Sequence, residues 1–262
     1  MSEKRVAYKK GNRKCCFCGD GDLSKEHLWP EWAHPILPSG PDHIRGKSTG
    51  VRADRPSWSR EGAPKTIQIR AVCKPCNSGW MSNLETTVNH VLSRLIKQDK
   101  FQLNEYDLAA LSKYFTMKFI VSDQSAMSIP TFSDEERRTF FDTRVIPSGL
   151  SIVLYNYTYE PEPLVAQYNK EVRKATIGET KYEIEGHANF TIRFGHLFVH
   201  GLFLRKAKGE FKGKPGFSIR AHPVIAAPVN WPPLFTLSMP DAYNIQHMLE
   251  LAARIRNASL PA

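Results

Sequence analysis

Residues 15–18 read CCFC and residues 73–77 read CKPCN, and these two stretches decide the fold of the first third of the chain. Each stretch contains a Cys-x-x-Cys knuckle, which presents two thiolates to one metal ion. Two knuckles complete the tetrahedral sphere of a structural Zn²⁺, which has no open position for activating water. The spacing therefore predicts a structural zinc ion. Its four predicted ligands are Cys15, Cys18, Cys73 and Cys76.

All five cysteines of the chain lie in its first third, and none follows. Paired cysteines in a reducing compartment are more often metal ligands than disulfides. The basic N-terminus has no apolar run behind it, and no stretch approaches the ~18 apolar residues of a membrane-spanning helix. We therefore expect a cytoplasmic protein without a membrane partner. Cys16 belongs to neither pair of predicted ligands. It is either a bystander or a replacement for a neighbouring ligand.

Positive charge is concentrated in the same part of the chain. The net charge is +10 over 262 residues, and residues 1–100 hold 18 Lys and Arg against 10 Asp and Glu. A basic surface attracts polyanions because binding releases counterions from the phosphate backbone. Nucleic acid is the predicted partner, with DNA first and RNA as the other candidate. A solvated basic face is the alternative interpretation.

Residues 35–66, between the knuckles, are rich in Pro, Gly, Ser and Arg and have no sustained period. This composition predicts a long loop, and loops of this length are usually functional or disordered. We interpret it as a track for phosphate groups, with solvated loop charge as the equal alternative. The basic residues of the predicted track are Arg45, Lys47, Arg52, Arg55, Arg60 and Lys65.

The dipeptide Glu26-His27 lies between the knuckles, and Asn77 directly follows the last cysteine. The ordered pattern CFCG…KEHLWPEW…VCKPCNSGW resembles the HNH, or ββα-metal, endonuclease family over about residues 15–95. It is most similar to zinc-bearing members with an endonuclease VII-like metal site, and to uncharacterised bacterial HNH proteins with an EH…CxxCNxGW signature. The resemblance implies a treble-clef zinc module in which the carboxylate–His pair ends a strand.

The resemblance also implies a role for each residue of this trio. Glu26, where the family usually has Asp, is the ligand of a catalytic Mg²⁺ or Mn²⁺, and Asn77 supplies a second oxygen. His27 is the general base that deprotonates the attacking water. These residue types suit the chemistry, because imidazole titrates near neutral pH and a hard cation stabilises developing phosphorane charge. The implied activity is hydrolysis of DNA phosphodiester bonds, in a restriction or phage-defence setting.

The departures from the family pattern leave a second interpretation open. The family often has a further His just beyond the dipeptide or on the helix, where this sequence has Trp29 and, on the helix, Gly79 and Trp80. Glu85 and His90 are either substitutes for it or residues with helix-surface or packing roles. We expect Trp29, Trp32 and Trp80 to pack over the zinc rather than to stack on bases. The alternative function is a zinc-stapled nucleic-acid-binding protein without catalytic activity, which would not need the trio.

Apolar spacing predicts the regular elements. Residues 66–73 alternate and are β-branched, as in a strand, and residues 77–97 and 104–121 have apolar side chains at helical spacing. Ser133, with Glu136 three residues later, predicts a capping box at the start of a short helix.

Beyond residue 150 the chain becomes strand-like, and a helix is predicted over DAYNIQHMLELAARIRN at its end. We expect His196 and His200 to share one face of one strand as buried structural residues, since roughly 13 Å of extended chain is too long for a shared metal. The predicted strands are SIVLYNY, KYEIE, ANFTIRFGHLFVHGLFLR and FSIRAHPVI.

These elements predict an α+β fold, with an N-terminal zinc-stapled ββα-metal (HNH) module followed by a mixed helical and antiparallel-sheet domain. Residues 1–14 are a basic lead-in, and residues 15–98 are the predicted nuclease domain with its structural zinc and basic loop. Residues 99–262 are an α+β domain with no motif tied to a reaction. Substrate recognition, dimerisation and sensing of a signal remain open for it.

Overall fold

The fold is described from a computed structural model. The described residues are 14–37, 43–46, 58–61, 67–124, 130–157, 166–177, 180–204, 216–224 and 227–238. Their mixed α+β architecture, with few helices and antiparallel sheets, confirms the α+β part of the predicted fold class, and the zinc-stapled HNH module stays a prediction. In these residues no helix has the length and apolar character needed to cross a bilayer.

The first layer is a two-stranded antiparallel sheet followed by a helix. Strand β1 (Leu23–His27) pairs with β4 (Gln68–Cys73), and the register is irregular between Ser24 and Glu26. Helical turns follow directly, as α1 (Lys74–Cys76), a wider π turn (Asn77–Met81) and α2 (Ser82–Lys97). The helical segment thus begins three residues before the predicted start, because a proline in the first turn is compatible with helix.

The segment predicted as a long loop contains a second pair of strands, so that prediction was wrong for these residues. Strands β2 (His43–Gly46) and β3 (Trp58–Glu61) are antiparallel, with Arg45 opposite Ser59 and Arg60 opposite Ile44. Each strand has only four residues, too few for alternation to stand out from the polar sequence around it. The predicted basic residues outside the described part are Lys47, Arg52, Arg55 and Lys65.

The central element is helix α3 (Glu105–Asp123), which is buried along most of its length. It begins at a capping box between Asn104 and Asp107 and packs against α2 and β4. Directly before α3, the chain forms the three-residue strand β5 (Phe101–Leu103), which pairs with β11 (Val229–Trp231). The sequence did not predict either strand.

Helix α4 (Asp134–Thr143) begins as predicted. The Ser133 hydroxyl accepts from the backbone N–H of Glu136, and the Glu136 carboxylate accepts from the N–H of Ser133. This reciprocal capping confirms the interpretation of the sequence pattern.

The second half of the chain contains a five-stranded antiparallel sheet, whose strands are β6 (Leu150–Asn156), β7 (Ala166–Ile177), β8 (Thr180–Phe194), β9 (Leu197–Leu204) and β10 (Ser218–His222). Their order in the sheet is β10–β6–β9–β8–β7. The edge strand β7 was not predicted, because its sequence AQYNKEVRKATI is too polar for apolar alternation. The helix predicted at the end of the chain lies outside the described residues.

The two histidines of this sheet do not share a strand, so that prediction was wrong. The chain reverses at Gly195 (φ 56°) and His196, between β8 and β9. His196 is half-buried in this turn, with Nδ1 3.0 Å from the carbonyl oxygen of Tyr157. His200 is fully buried in β9, as predicted, and burial lowers its pKa to about 4.

One hydrophobic core contains side chains from both halves of the chain. Fully buried Trp29 donates its indole N–H to the carbonyl oxygen of Arg193 at 2.8 Å and packs against Phe194. Gly201 lets α3 approach the sheet, since a Cβ atom there would lie 2.3 Å from the Phe119 ring. The domain boundary after residue 98 stays a prediction.

Candidate functional site

The four predicted zinc ligands lie together. The Sγ atoms of the four cysteines are all within 4.8 Å of one another, and those of Cys18 and Cys73 are 3.4 Å apart. Zinc–sulfur bonds of about 2.3 Å in a tetrahedron put the sulfurs roughly 3.8 Å apart. The cluster could therefore bind a metal ion such as zinc. In the described part of the chain it is the one group of three or more His, Cys, Asp or Glu side chains that could do so.

Local backbone geometry brings the two knuckles together. The first is a tight turn in which the N–H of Gly19, whose φ is 86°, donates to the carbonyl oxygen of Cys15. The N–H of Cys16 donates to the carbonyl oxygen of Ala71, which ties this turn to β4. The second knuckle begins at the last residue of β4, Cys73, so strand pairing sets the separation of the knuckles.

The thiols have different electrostatic environments. Burial raises the pKa of Cys15, but hydrogen bonds from the backbone N–H groups of Cys18, Cys73 and Phe17 outweigh it and lower the pKa to about 7. Burial raises the pKa of Cys18 to about 12 and that of Cys76 further. Metal binding at this cluster is thus coupled to proton release. Cys16 is not one of the clustered thiols, and burial raises its pKa.

Glu26 forms a buried ion pair that the sequence did not predict. Its Oε1 lies 2.5 Å from Nζ of Lys118, which is in α3 and is fully buried. The same ammonium group donates to the carbonyl oxygen of His27 at 2.8 Å and lies 3.6 Å from Oε2 of Glu85. Burial raises the pKa of Glu85, and the charge of Lys118 opposes this rise. The Glu26 carboxylate thus already has a cation beside it.

His27 faces away from this ion pair, because consecutive side chains of a strand point to opposite faces. Its ring is one-fifth exposed and packs edge-on to His34, with Nδ1 3.4 Å from Oε1 of Glu31. Nε2 lies 2.5 Å from Nε2 of Gln68. An amide nitrogen only donates, so this ring nitrogen is the acceptor and Nδ1 has the proton in the neutral ring. Gln68 therefore covers the lone pair that a general base needs.

Asn77 contacts the strand that carries the dipeptide. Its Nδ2 donates to the carbonyl oxygen of Lys25 and to Oγ of Ser24, both at 3.1 Å. These bonds tie the start of the helical segment to β1, next to Glu26. Asn77 is therefore held against the strand that contains the other two residues of the predicted trio, although its contacts are with the two residues before Glu26.

Three tryptophans of the first third and His90 lie in different parts of the fold. Trp29 packs against the C-terminal sheet instead of over the cysteines, which corrects that prediction. Trp80 lies against Phe17 of the first knuckle, with ring centroids 4.9 Å apart, and Trp32 is half-buried at the edge of the core. His90 is exposed on α2.

Lys118 is the residue that sequence reasoning missed, and the sequence contains a signal for it. It stands three and seven residues after Phe115 and Leu111, on the apolar face of a predicted helix. A lysine is almost never fully buried without a partner, so such a position indicates an internal ion pair. The identity of the partner could not be read from α3 alone.

Comparisons of the chain with protein-family models, with curated proteins and with solved structures give no match.

Proposed function

We propose that the protein is a metal-dependent HNH endonuclease that hydrolyses phosphodiester bonds in DNA. The observation that carries the proposal is the pair of hydrogen bonds from Asn77 to β1, directly before Glu26 and His27. Paired strands followed by a helix, with a four-thiol cluster beside them, are the order of elements that the HNH resemblance implies. A zinc ion at the cysteines would stabilise the module without taking part in the reaction.

Within this proposal, His27 is the general base. Its ring is partly exposed, as contact with a water and a phosphodiester requires, and the Glu31 carboxylate orients its Nδ1–H. Gln68 is exposed at the edge of β4 and has to move from Nε2 before a water can take its place.

A catalytic cation would be held by oxygen atoms of Glu26 and Asn77. One carboxylate and one amide suit Mg²⁺, which keeps several of its waters when bound to protein. When bound, such a cation supplies positive charge near the phosphoryl oxygens. The ion pair with Lys118 opposes this role, because the cation has to share the Glu26 carboxylate with an ammonium group or displace it.

That ion pair favours a second candidate function. A Glu26 carboxylate that Lys118 already neutralises does not need a divalent cation, and a protein that only binds nucleic acid would require none. The concentration of positive charge in residues 1–100 supports either function. The second candidate is therefore a zinc-stapled nucleic-acid-binding protein without catalytic activity.

Plasmid nicking separates the two functions. The full chain is incubated with supercoiled DNA in Mg²⁺, in Mn²⁺ or in EDTA, beside His27→Ala and the control His90→Ala, which removes an exposed histidine. The endonuclease proposal expects metal-dependent nicking that His27→Ala abolishes and His90→Ala retains. Equal nicking by His27→Ala would contradict it. Salt-sensitive DNA binding without cleavage in all three proteins would support the second candidate, and a parallel assay on RNA tests the other substrate.

A further inference from the structure

Helix α4, from the second half of the chain, contacts the first cysteine knuckle through two arginines. Arg137 donates from Nε to the carbonyl oxygen of Cys16 at 3.1 Å, and Arg138 donates from Nη1 to that of Cys18 at 3.2 Å. Both bonds reach backbone oxygens inside the knuckle, at residues more than a hundred positions earlier. Nothing in the motif itself predicts these contacts.

The bond from Arg137 acts on a peptide group inside the knuckle, between two of the predicted metal ligands. The carbonyl oxygen of Cys16 and the N–H of Phe17 belong to one rigid planar unit, which lies between Cys15 and Cys18. The guanidinium of Arg137 thus fixes the orientation of this unit, and with it the turn that brings Cys15 and Cys18 together.

The Arg137 side chain is held in place by burial and by hydrogen bonds from all three guanidinium nitrogens. It is 9% exposed, and its two terminal nitrogens donate to the carbonyl oxygen of Phe132 and to Oδ1 of Asp134. Each nitrogen of the guanidinium therefore has one acceptor, and the geometry of the fork sets where Nε points. A lysine at this position has one charged nitrogen and cannot make all three contacts.

Arg144, the residue directly after α4, contacts an aromatic ring beside the same knuckle. The Arg144 guanidinium lies 4.0 Å from the centroid of the Trp80 ring, and this ring packs edge-on against Phe17. Phe140 of α4 also packs against both aromatic rings. The turn between Cys15 and Cys18 therefore packs against one helix and the aromatic residues that it contacts.

We propose that Arg137 is a positioning residue of the metal centre, supported by Arg138 and Arg144. A divalent ion with four thiolates has a net charge of −2, and partly buried cations beside it stabilise the loaded form. The proposed ligand class is a thiophilic divalent cation: Zn²⁺, with Co²⁺ and Cd²⁺ as probes. This gives residues 99–262 one defined task, and it holds whether or not the protein cleaves nucleic acid.

Zinc competition on the full chain tests the proposal. Apparent zinc affinity is measured with a chromophoric chelator for wild type, Arg137→Gln, Arg137→Lys and the control Arg94→Gln, which removes a guanidinium stacked on Phe101 in another part of the fold. We expect Arg137→Gln to weaken zinc binding by about 10-fold or more, the usual effect of losing an outer-sphere partner. Arg137→Lys, which keeps the charge, should recover part of the loss, and Arg94→Gln should match wild type.

A second readout distinguishes positioning from general stability. Co²⁺ bound to four thiolates has sulfur-to-metal charge-transfer bands, and Arg137→Gln should shift them because the backbone between Cys15 and Cys18 is no longer held in place. Wild-type zinc affinity and an unshifted Co²⁺ spectrum in folded Arg137→Gln would overturn the proposal. If that variant does not fold, the double variant Arg138→Gln with Arg144→Gln decides, since the Arg138 side chain is half exposed. Wild-type zinc affinity in this double variant would then overturn the proposal.

Discussion

Nζ of Lys118 lies 2.5 Å from Oε1 of Glu26, although the two residues are 92 positions apart in the chain. Both are buried, and the same ammonium group also holds the backbone carbonyl of His27. The dipeptide that the motif assigns to catalysis is thus fixed by a side chain of the central helix α3. Its conformation depends on residues on both sides of the proposed domain boundary.

Lys118→Met should therefore destabilise the protein strongly. It leaves the buried Glu26 carboxylate without its cation, which typically costs about 3–5 kcal/mol. The measurement is the free energy of unfolding from urea titration. The control Lys113→Met changes a half-buried lysine of the same helix and should change the free energy by much less.

The double variant Lys118→Met with Glu26→Gln isolates the ion pair. Removing both charges should recover a large part of the lost stability, because the buried Glu26 carboxylate is gone and only the more exposed Glu85 carboxylate has lost its cation. Equal stability of Lys118→Met and Lys113→Met would show that Glu26 finds another partner.

Substitution of single cysteines should distinguish the four clustered thiols from Cys16, which lies in the first knuckle but outside the cluster. Cys76→Ser should reduce bound zinc from about one ion per chain toward zero, since three thiolates hold the ion less well than four. Cys16→Ser should keep the ion, because Cys16 lies outside the cluster. Metal analysis of the two purified proteins checks this. Loss of zinc in Cys16→Ser with retention in Cys76→Ser would contradict the assignment.

The free energy of unfolding should fall at acidic pH because of His200. Burial lowers its folded-state pKa to about 4, from about 6.5 in the unfolded chain. The unfolded state therefore binds more protons between these values, and stability that is complete above pH 6.5 is lost as the pH falls. Between pH 7 and pH 5 the loss from this residue is about 2 kcal/mol.

Urea unfolding at the two pH values checks this prediction on wild type and His200→Gln. The variant should lose about 2 kcal/mol less than wild type between pH 7 and pH 5. His90→Gln, which changes an exposed histidine, serves as the control. The same pH dependence in all three proteins would contradict the burial argument.

The close approach of α3 to the sheet makes Gly201 a sensitive position. A Cβ atom in Gly201→Ala would lie 2.3 Å from the Phe119 ring, so this buried pair has to move apart. We expect a loss of about 1–3 kcal/mol in the free energy of unfolding. Gly21→Ala, where nothing lies within 4 Å of the added atom, should have little effect. Combining Gly201→Ala with Phe119→Leu should recover stability; an additive or greater loss would contradict the steric explanation.

The features that the sequence predicted correctly depend on local spacing. The four cysteines come together because each knuckle is a single turn, and one strand pair sets the knuckles side by side. Helices α3 and α4 follow from apolar period and from the Ser133 capping box. In these cases a few adjacent residues contain the whole signal.

The features that it missed depend on pairs of distant residues. The bond between Lys118 and Glu26 joins two elements that no local pattern connects, and so does the bond from Trp29 to the backbone of Arg193. Strands β5 and β11 have three residues each and are stabilised by each other, so neither has a period of its own. Candidate roles for Glu26 could be assigned from the motif, but its actual partner could not.

If His27 is the general base, Gln68 limits its activity, since the amide donates to the lone pair of Nε2. Gln68→Ala should then raise the rate of metal-dependent plasmid nicking several-fold, because a water can reach Nε2 directly. Gln68→Glu should do the opposite: a carboxylate beside the ring favours imidazolium and shifts the pH–rate profile to higher pH. His27→Ala combined with Gln68→Ala should be inactive. A fall in rate in Gln68→Ala, as large as that in His27→Ala, would instead make the amide a working part of the site.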